Sequence, residues 1–305
     1  MVANTISAEN EKRAAALSSV VAAVGLTTFK IVVGISTGSL GILAEAAHSG
    51  LDLLAALMTF LAVRLSGKPA DEQHLYGHGK IENLSALFET LLLLITCVWI
   101  IYEAVQRLFF RHVEIEVTAW AFLVMAVSIG VDFTRSRVLY RAARKHNSQA
   151  LEADALHFST DIWSSSVVIL GLIGVKLAEQ RPAWGILRQA DAIAALIVAM
   201  IVIYVSLQLG ERAIQALLDA APQGKVTAIK QAVERVPGVV DCHHVRIRYS
   251  GPQPFVDVHI LVAPEMDFPA VHTLTEEVER TIQRFLPKAD VTVHPEPAPS
   301  PSSEN

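Results

Sequence analysis

The chain has 305 residues, 52% of them apolar or Cys and only 18% charged, where an ordinary soluble domain carries about 25% charged residues. That scarcity of charge, with a mean hydropathy of +0.42, excludes an ordinary soluble globular protein and a disordered chain. A formal net charge of −5 offers no global attraction for nucleic acid, and two distant cysteines, Cys97 and Cys242, supply neither a disulfide framework nor a Cys-rich zinc site.

Residues 1–13 are polar and read as a cytoplasmic N-terminal segment. Lys12 and Arg13 mimic the basic start of a signal peptide, but Lys30 interrupts the apolar run that follows, so no cleaved signal is read. A bilayer core of about 30 Å takes about 20 mostly apolar helical residues. Six such stretches follow, at 14–34, 40–65, 84–109, 117–140, 155–178 and 190–209. Turn-forming or charged clusters separate them: Ser36-Thr37-Gly38, the loop from Gly67 to Lys80, then 111–116, 141–149 and Gln180-Arg181-Pro182. Lys and Arg number ten on the side of the N-terminus and five on the other, which places both chain ends in the cytoplasm. The membrane part is therefore read as 14–217.

From about Pro222 the composition becomes that of a small soluble domain, read as 218–295. A helical period over 226–236 ends at Pro237-Gly238; Val- and Ile-rich runs at 239–248 and 255–262 flank Ser250-Gly251-Pro252 as a hairpin. An amphipathic helix at 269–286 and a short strand at 291–293 complete an αββαβ order, which predicts a compact, ferredoxin-like α+β fold with one open sheet face. The Pro/Ser-rich tail, 296–305, reads as disordered.

The functional signal lies in charges inside the apolar helices, where an ionisable residue costs roughly 2.5–3.5 kcal/mol on insertion scales. The second stretch contains His48-Ser49-Gly50-Leu51-Asp52 and the fifth His157-Phe158-Ser159-Thr160-Asp161. The i,i+4 spacing puts each His and Asp on one helical face. If the faces meet, two imidazoles and two carboxylates converge, a set that suits a tetrahedral divalent cation, zinc before magnesium or calcium. The bland alternative is two separate His–Asp pairs gluing helices. In the loop, Asp71, His74 and His78 have the spacing of a small metal site on a turn. A membrane-bound metalloenzyme and a membrane-tethered metal sensor stay open as rival classes, although no nucleophile motif accompanies the clusters.

The run from Gly38 to Ser49, closing on Asp52, resembles the second-helix signature of the cation diffusion facilitator family. Asp71-Glu72-Gln73-His74-Leu75-Tyr76-Gly77-His78-Gly79-Lys80 resembles that family's loop, and His157 with Asp161 its fifth-helix motif. The resemblance covers nearly the whole chain. It implies a homodimeric, multi-pass inner-membrane antiporter that exchanges cytoplasmic divalent metal for protons, without enzyme activity or organic cofactor. It assigns the transport site to His48, Asp52, His157 and Asp161, and a loop metal site to Asp71, His74 and His78. It also implies regulatory metal at the dimer contact of the soluble domain, on His243, His259, His272, His294 and Glu296. Two positions depart from the family's pattern: Glu45 and Glu296 stand where relatives commonly carry Asp. His48 is Asp in several bacterial relatives, and the His/Asp–His/Asp set is more similar to zinc-selective branches. The implied cargo is Zn²⁺, with Co²⁺, Cd²⁺ or Fe²⁺ as further ions. Cys242 and His244 lie beside the candidate ligands, but strand alternation is expected to turn neighbours away.

Overall fold

Six long helices, two shorter ones and a three-stranded sheet make up the computed structural model, which describes residues 2–109, 119–180, 190–222 and 224–299. The chain divides into two compact units, one of Met1–Pro69 and Ile81–Ile214, the other of Ala70–Lys80 and Gln215–Asn305.

The long helices are α1 (Val2–Thr37), α2 (Leu40–Ser66), α3 (Lys80–Phe109), α4 (Ala119–His146), α5 (Gln149–Gln180) and α6 (Ala190–Leu217). Most overrun the apolar stretches, because hydropathy marks a lipid-like segment whereas helix persists through good formers such as Arg and Lys. The segment 1–13 shows the difference: helix α1 begins at Val2, and the side chain of Lys12 is buried. Gly38, at φ 65°, turns the chain between α1 and α2, and the Ser39 hydroxyl accepts from the Ile42 amide to cap α2. Asn147, at φ 51°, makes the equivalent corner between α4 and α5.

Four helices are long and apolar enough to cross a membrane by length and composition: Ser7–Thr37, Glu45–Ser66, Lys80–Gln106 and Leu196–Leu217, among the described residues. Helices α4 and α5 are as long, but they carry Asp132, Arg135, Arg137, Asp154, His157 and Asp161 along their lengths. Their charge lowers the hydropathy signal. The linkers expected at 111–116 and 181–182 lie outside the described residues.

Helices α1, α2, α4 and α5 share a core of Ala16, Ala56, Val63, Leu139, Ala143, Ala150, Leu151, Ala155 and Phe158. Alanine dominates, which lets helix backbones approach closely. A second cluster, Ala86, Ala153, Leu209 and Ala213, ties α3, α5 and α6. Several buried charges are paired. Lys12 lies 2.7 Å from Glu82, whose carboxylate also accepts from the Ser66 hydroxyl at 2.9 Å and from Ser148. Lys30 donates to Ser49 at 2.7 Å and pairs with Glu45 at 3.2 Å. Arg135 pairs with Asp132 at 3.2 Å and stacks 3.4 Å above the centre of the Phe158 ring.

In the other unit, α7 (Lys225–Val233) and α8 (Phe268–Phe285) pack on the sheet β1 (Val239–Ser250), β2 (Gln253–Val262) and β3 (Asp290–Pro297). The αββαβ order is as expected. Strand β2 is central, antiparallel to β1 and parallel to β3. Its buried residues Val256, Val258, Ile260 and Val262 alternate with outward Asp257, His259 and Leu261. Helix α8 is capped by Asp267 and buries Leu274, Val278, Thr281 and Ile282, the spacing of one apolar helical face. Strand β3 continues through Pro297, so 296–297 belong to the sheet; two prolines are tolerated there because β3 is an edge strand. Residues 300–305 of the expected tail lie outside the described residues.

The loop 70–80 packs within this unit. Tyr76 meets the Phe255 ring edge-on at 5.2 Å and lies under the Arg248 guanidinium at 3.8 Å. At Gly79 an added Cβ would sit 2.1 Å from the Ser250 carbonyl oxygen, so only glycine permits this backbone contact.

Candidate metal centre

The sequence-predicted helix motifs converge. Nε2 of His157 lies 3.2 Å from Asp52 Oδ1 and 3.7 Å from Asp161 Oδ2. Ligand atoms of Asp52, His157 and Asp161 lie within 4.8 Å of one another. A zinc ion about 2.1 Å from each tetrahedral ligand holds them about 3.4 Å apart, which matches this spacing. The Asp52–His157 contact bridges α2 and α5, so it needs the close α2/α5 approach that Ala56 and Ala155 allow. Asp161 Oδ2 and His157 Nδ1 are buried without a hydrogen-bond partner among the described residues, a costly condition for polar atoms. His48, the fourth candidate, sits apart from the tight group: its Nε2 is 4.0 Å from Asp52 and its side chain is 45% exposed.

The loop residues also come together. Asp71 Oδ1 accepts from the backbone amides of His74 at 2.7 Å and Gln73 at 3.0 Å, and lies 3.1 Å from His74 Nδ1. Asp71 Oδ2 is 3.4 Å from His78 Nε2. The His74 amide chiefly holds the Asp71 carboxyl below its ordinary value, so it is ready to ligate at neutral pH.

On the open face of the sheet, His243 pairs with His259 across β1/β2 and His259 with His294 across β2/β3, a row of three imidazoles. Glu296 sits beside it, 2.7 Å from His259 Nδ1, 3.5 Å from His243 Nε2 and 3.6 Å from His294 Nε2. The His259 contact chiefly lowers the Glu296 carboxyl below its ordinary 4.5. His272 is not gathered in: it faces Glu276 on its own helix at 3.6 Å and is largely exposed.

His244 corrects the expectation from alternation. A bulge falls between His243 and Arg246, and His244 adopts φ 50°. Its ring lies 4.9 Å from His243 and 5.1 Å from His259, so neighbours share a face and His243, His244 and His259 form a three-imidazole group. The signal was in the sequence. Cys242 and Ile247 are both buried, an odd spacing that strict alternation forbids and one extra residue explains. Cys242 does face inward as alternation predicts, and burial pushes its thiol up to about 11.

Buried metal-type ligands between membrane helices, with further clusters on a soluble α+β unit, define a membrane protein that handles cations. A family model described as the cation efflux transmembrane domain matches residues 16–218, and one described as the cation efflux protein cytoplasmic domain matches 221–298. The cation-efflux pump FieF of Cronobacter sakazakii is 34% identical over 290 residues, covering 93% of this chain and 92% of that protein. FieF of Yersinia enterocolitica is 33% identical over 288 residues with the same coverages. A solved structure of a MamM CTD variant aligns at 30% identity over 25% of this chain and 96% of its own, with a TM-score of 0.24. The chain belongs to the cation diffusion facilitator (cation efflux) family. It is a multi-pass inner-membrane transporter of divalent metal cations rather than an enzyme, and its C-terminal unit matches the family's cytoplasmic domain.

Proposed function

We propose that this protein exports Zn²⁺ from the cytoplasm in exchange for protons, as a homodimer with both chain ends in the cytoplasm and α4 and α5 crossing the bilayer with the other four helices. One observation carries the reading: a single imidazole nitrogen of His157 faces the carboxylates of Asp52 and Asp161 at 3.2 and 3.7 Å. Two carboxylates neutralise a divalent charge, which is expensive to bury unpaired. An imidazole ligand favours zinc, cobalt or cadmium over magnesium or calcium. His48, one helical turn from Asp52, completes a fourth ligand by a side-chain rotation. Cobalt, cadmium and ferrous iron remain secondary cargoes in this reading.

Metal and protons compete for the same atoms. An imidazole that accepts a proton has no lone pair left for the ion, and a protonated carboxylate is a weaker ligand. Alternating exposure then exchanges one for the other: metal loads on the cytoplasmic side, and protonation of the same groups releases it outside. The loop and sheet clusters serve as regulatory zinc sites. Metal there biases the protomers towards one conformation by its differential affinity.

The test is zinc flux into proteoliposomes with an imposed pH gradient, run beside cobalt, cadmium, manganese and ferrous iron. Collapsing the gradient is expected to slow zinc movement. Asp161→Ala leaves three ligands with only one carboxylate to offset the divalent charge, and flux falls to the level of empty vesicles while the protein keeps its helical spectrum. Parental flux from this variant, with zinc still the preferred ion, sinks the site assignment.

A further inference from the structure

Helices α4, α5 and α6 leave a cavity of about 690 Å³ between them, apart from the Asp52–His157–Asp161 group. Its polar and apolar parts are separated along the helices. Arg144 and Arg212 stand near one end, and Phe133, Ile162 and Trp163 towards the other. From Arg144 to Phe133 helix α4 descends about 16 Å, at 1.5 Å per residue. Most of the polar lining is already satisfied: Ser136 is bonded to Ser159 at 2.7 Å, and Arg212 is paired with Glu152 at 3.1 Å. Two guanidiniums are left over. Arg144 donates from Nε and Nη2 to the Tyr140 hydroxyl at 2.9 and 2.7 Å and makes no ion pair among the described residues. Arg137 has the Phe133 ring at 6.0 Å and likewise no carboxylate partner among the described residues.

Glu152 also acts electrostatically on Arg144, but one carboxylate faces three guanidiniums in the lining, and this excess of positive charge makes the cavity a poor entry route for the divalent cargo and a good seat for an anion. The anion's remaining chemistry is set by the walls. Below the arginines the lining is aliphatic and aromatic, and Phe133, Tyr140 and Trp163 are exposed on helices of the transmembrane domain. A small soluble anion has no use for that apolar depth. We propose that the cavity binds one anionic phospholipid, with its phosphate on Arg137 and Arg144 and an acyl chain along Ile162 and Trp163. Basic pockets between membrane helices hold acidic headgroups in this way, and aromatic side chains favour the interfacial depth. Because Ser159 and Ile162 line the cavity and bracket Asp161 on α5, the lipid braces the helix that carries a candidate cargo ligand. The inference rests on the membrane reading of α4 and α5, and is independent of the metal and of its ligand set.

The test is native mass spectrometry of the full-length protein in detergent, offered equal amounts of phosphatidylglycerol and phosphatidylcholine. The wild type is expected to retain one phosphatidylglycerol per chain in preference to phosphatidylcholine. Arg137→Gln/Arg144→Gln should bind it about thirtyfold less tightly, and Arg137→Gln alone about fivefold. Equal retention of the two lipids by the wild type overturns the proposal without recourse to any variant. So does undiminished phosphatidylglycerol on a double variant with an unchanged circular dichroism melt. Displacement of the lipid by an equal concentration of glycerol phosphate overturns it as well, since the site would then be one for a soluble anion. Failure of the metal-site assignment is read separately, in the flux of Asp161→Ala.

Discussion

His244 holds a backbone conformation, φ 50°, that few residues other than Gly, Asn or Asp adopt, at a cost of order 1–3 kcal/mol. Its return is position: the ring stands beside His243 and His259, where strict alternation would have sent it into the apolar core. A neutral imidazole offers one lone pair, so His259 serves either the three-imidazole group or the group with His294 and Glu296, and not both at once. His244→Ala is therefore expected to weaken zinc binding to the sheet by at least about tenfold, and copper or nickel by more, since nitrogen-rich sites follow the Irving–Williams order most steeply. Chelator competition on full-length protein carrying Asp161→Ala and His74→Ala, which disable the helix and loop groups, isolates the sheet; an unchanged titration curve shows that His244 is no ligand. The helix motifs were legible because His-x-x-x-Asp occurs twice, and i,i+4 spacing fixes the face. The bulge is legible only when Cys242 and Ile247 are weighed as two inward positions at an odd spacing, which strict alternation through His243–His244 does not allow.

Among the elements, the N-terminal turns of α1 are held to the start of α3 by Lys12 and Glu82, with Ser66 at the end of α2 and Ser148 before α5 closing the same carboxylate. Four segments thus meet at one buried charge. Removing Glu82 leaves Lys12 buried with Glu9, one turn away on its own helix at 2.8 Å, as its remaining carboxylate partner, whereas replacing both Lys12 and Glu82 by apolar groups leaves no buried ammonium. Glu82→Met should destabilise the helical unit by about 1–3 kcal/mol, and Lys12→Met/Glu82→Met should recover most of that loss. Thermal unfolding in detergent measures both, and equal melting of the single and double variants would rule out a pairing role. Hydropathy gave the six helices but not this network. A charge next to an apolar run looks the same in sequence whether it dangles in solvent or folds back against a neighbour, and only the packing of 1–13 as helix decides.

Over the whole molecule, the two cysteines report the two units independently. Cys97 is buried in α3 and Cys242 in the core of the sheet. With its thiol raised from 9.0 to about 11, Cys242 remains protonated in the folded state at pH 8, and both burial and protonation suppress alkylation. The sign follows from the raised value: the stabilising share is complete below pH 9 and disappears as pH climbs through about 11. Maleimide labelling of native protein at pH 7–8 should be slight at both residues. In rising urea Cys242 should react before Cys97, because detergent-embedded helices outlast a small soluble core. Simultaneous labelling would mean that the chain unfolds as one cooperative body. The division into membrane and soluble parts was read from a composition change near Pro222, where a solvent-facing core replaces a lipid-facing one. The place of the 70–80 loop was not. Its attachment depends on Tyr76, Arg248 and Phe255 meeting across a long stretch of chain, and no local pattern encodes such a meeting.

That attachment has a consequence for how the protein is made. Residues 70–80 leave the ribosome well before 215–299, with residues 81–214 synthesised between them. At about 5–20 residues per second the loop waits on the order of ten seconds before Phe255 and the hairpin turn at Gly251 exist for Tyr76 and Gly79 to close upon. Throughout that interval Asp71, His74 and His78 are tethered to nothing but the ends of α2 and α3. A nascent chain therefore has Asp52, His157 and Asp161 before Asp71, His74 and His78 are fixed in place, and docking of the loop is one of the last events in its maturation.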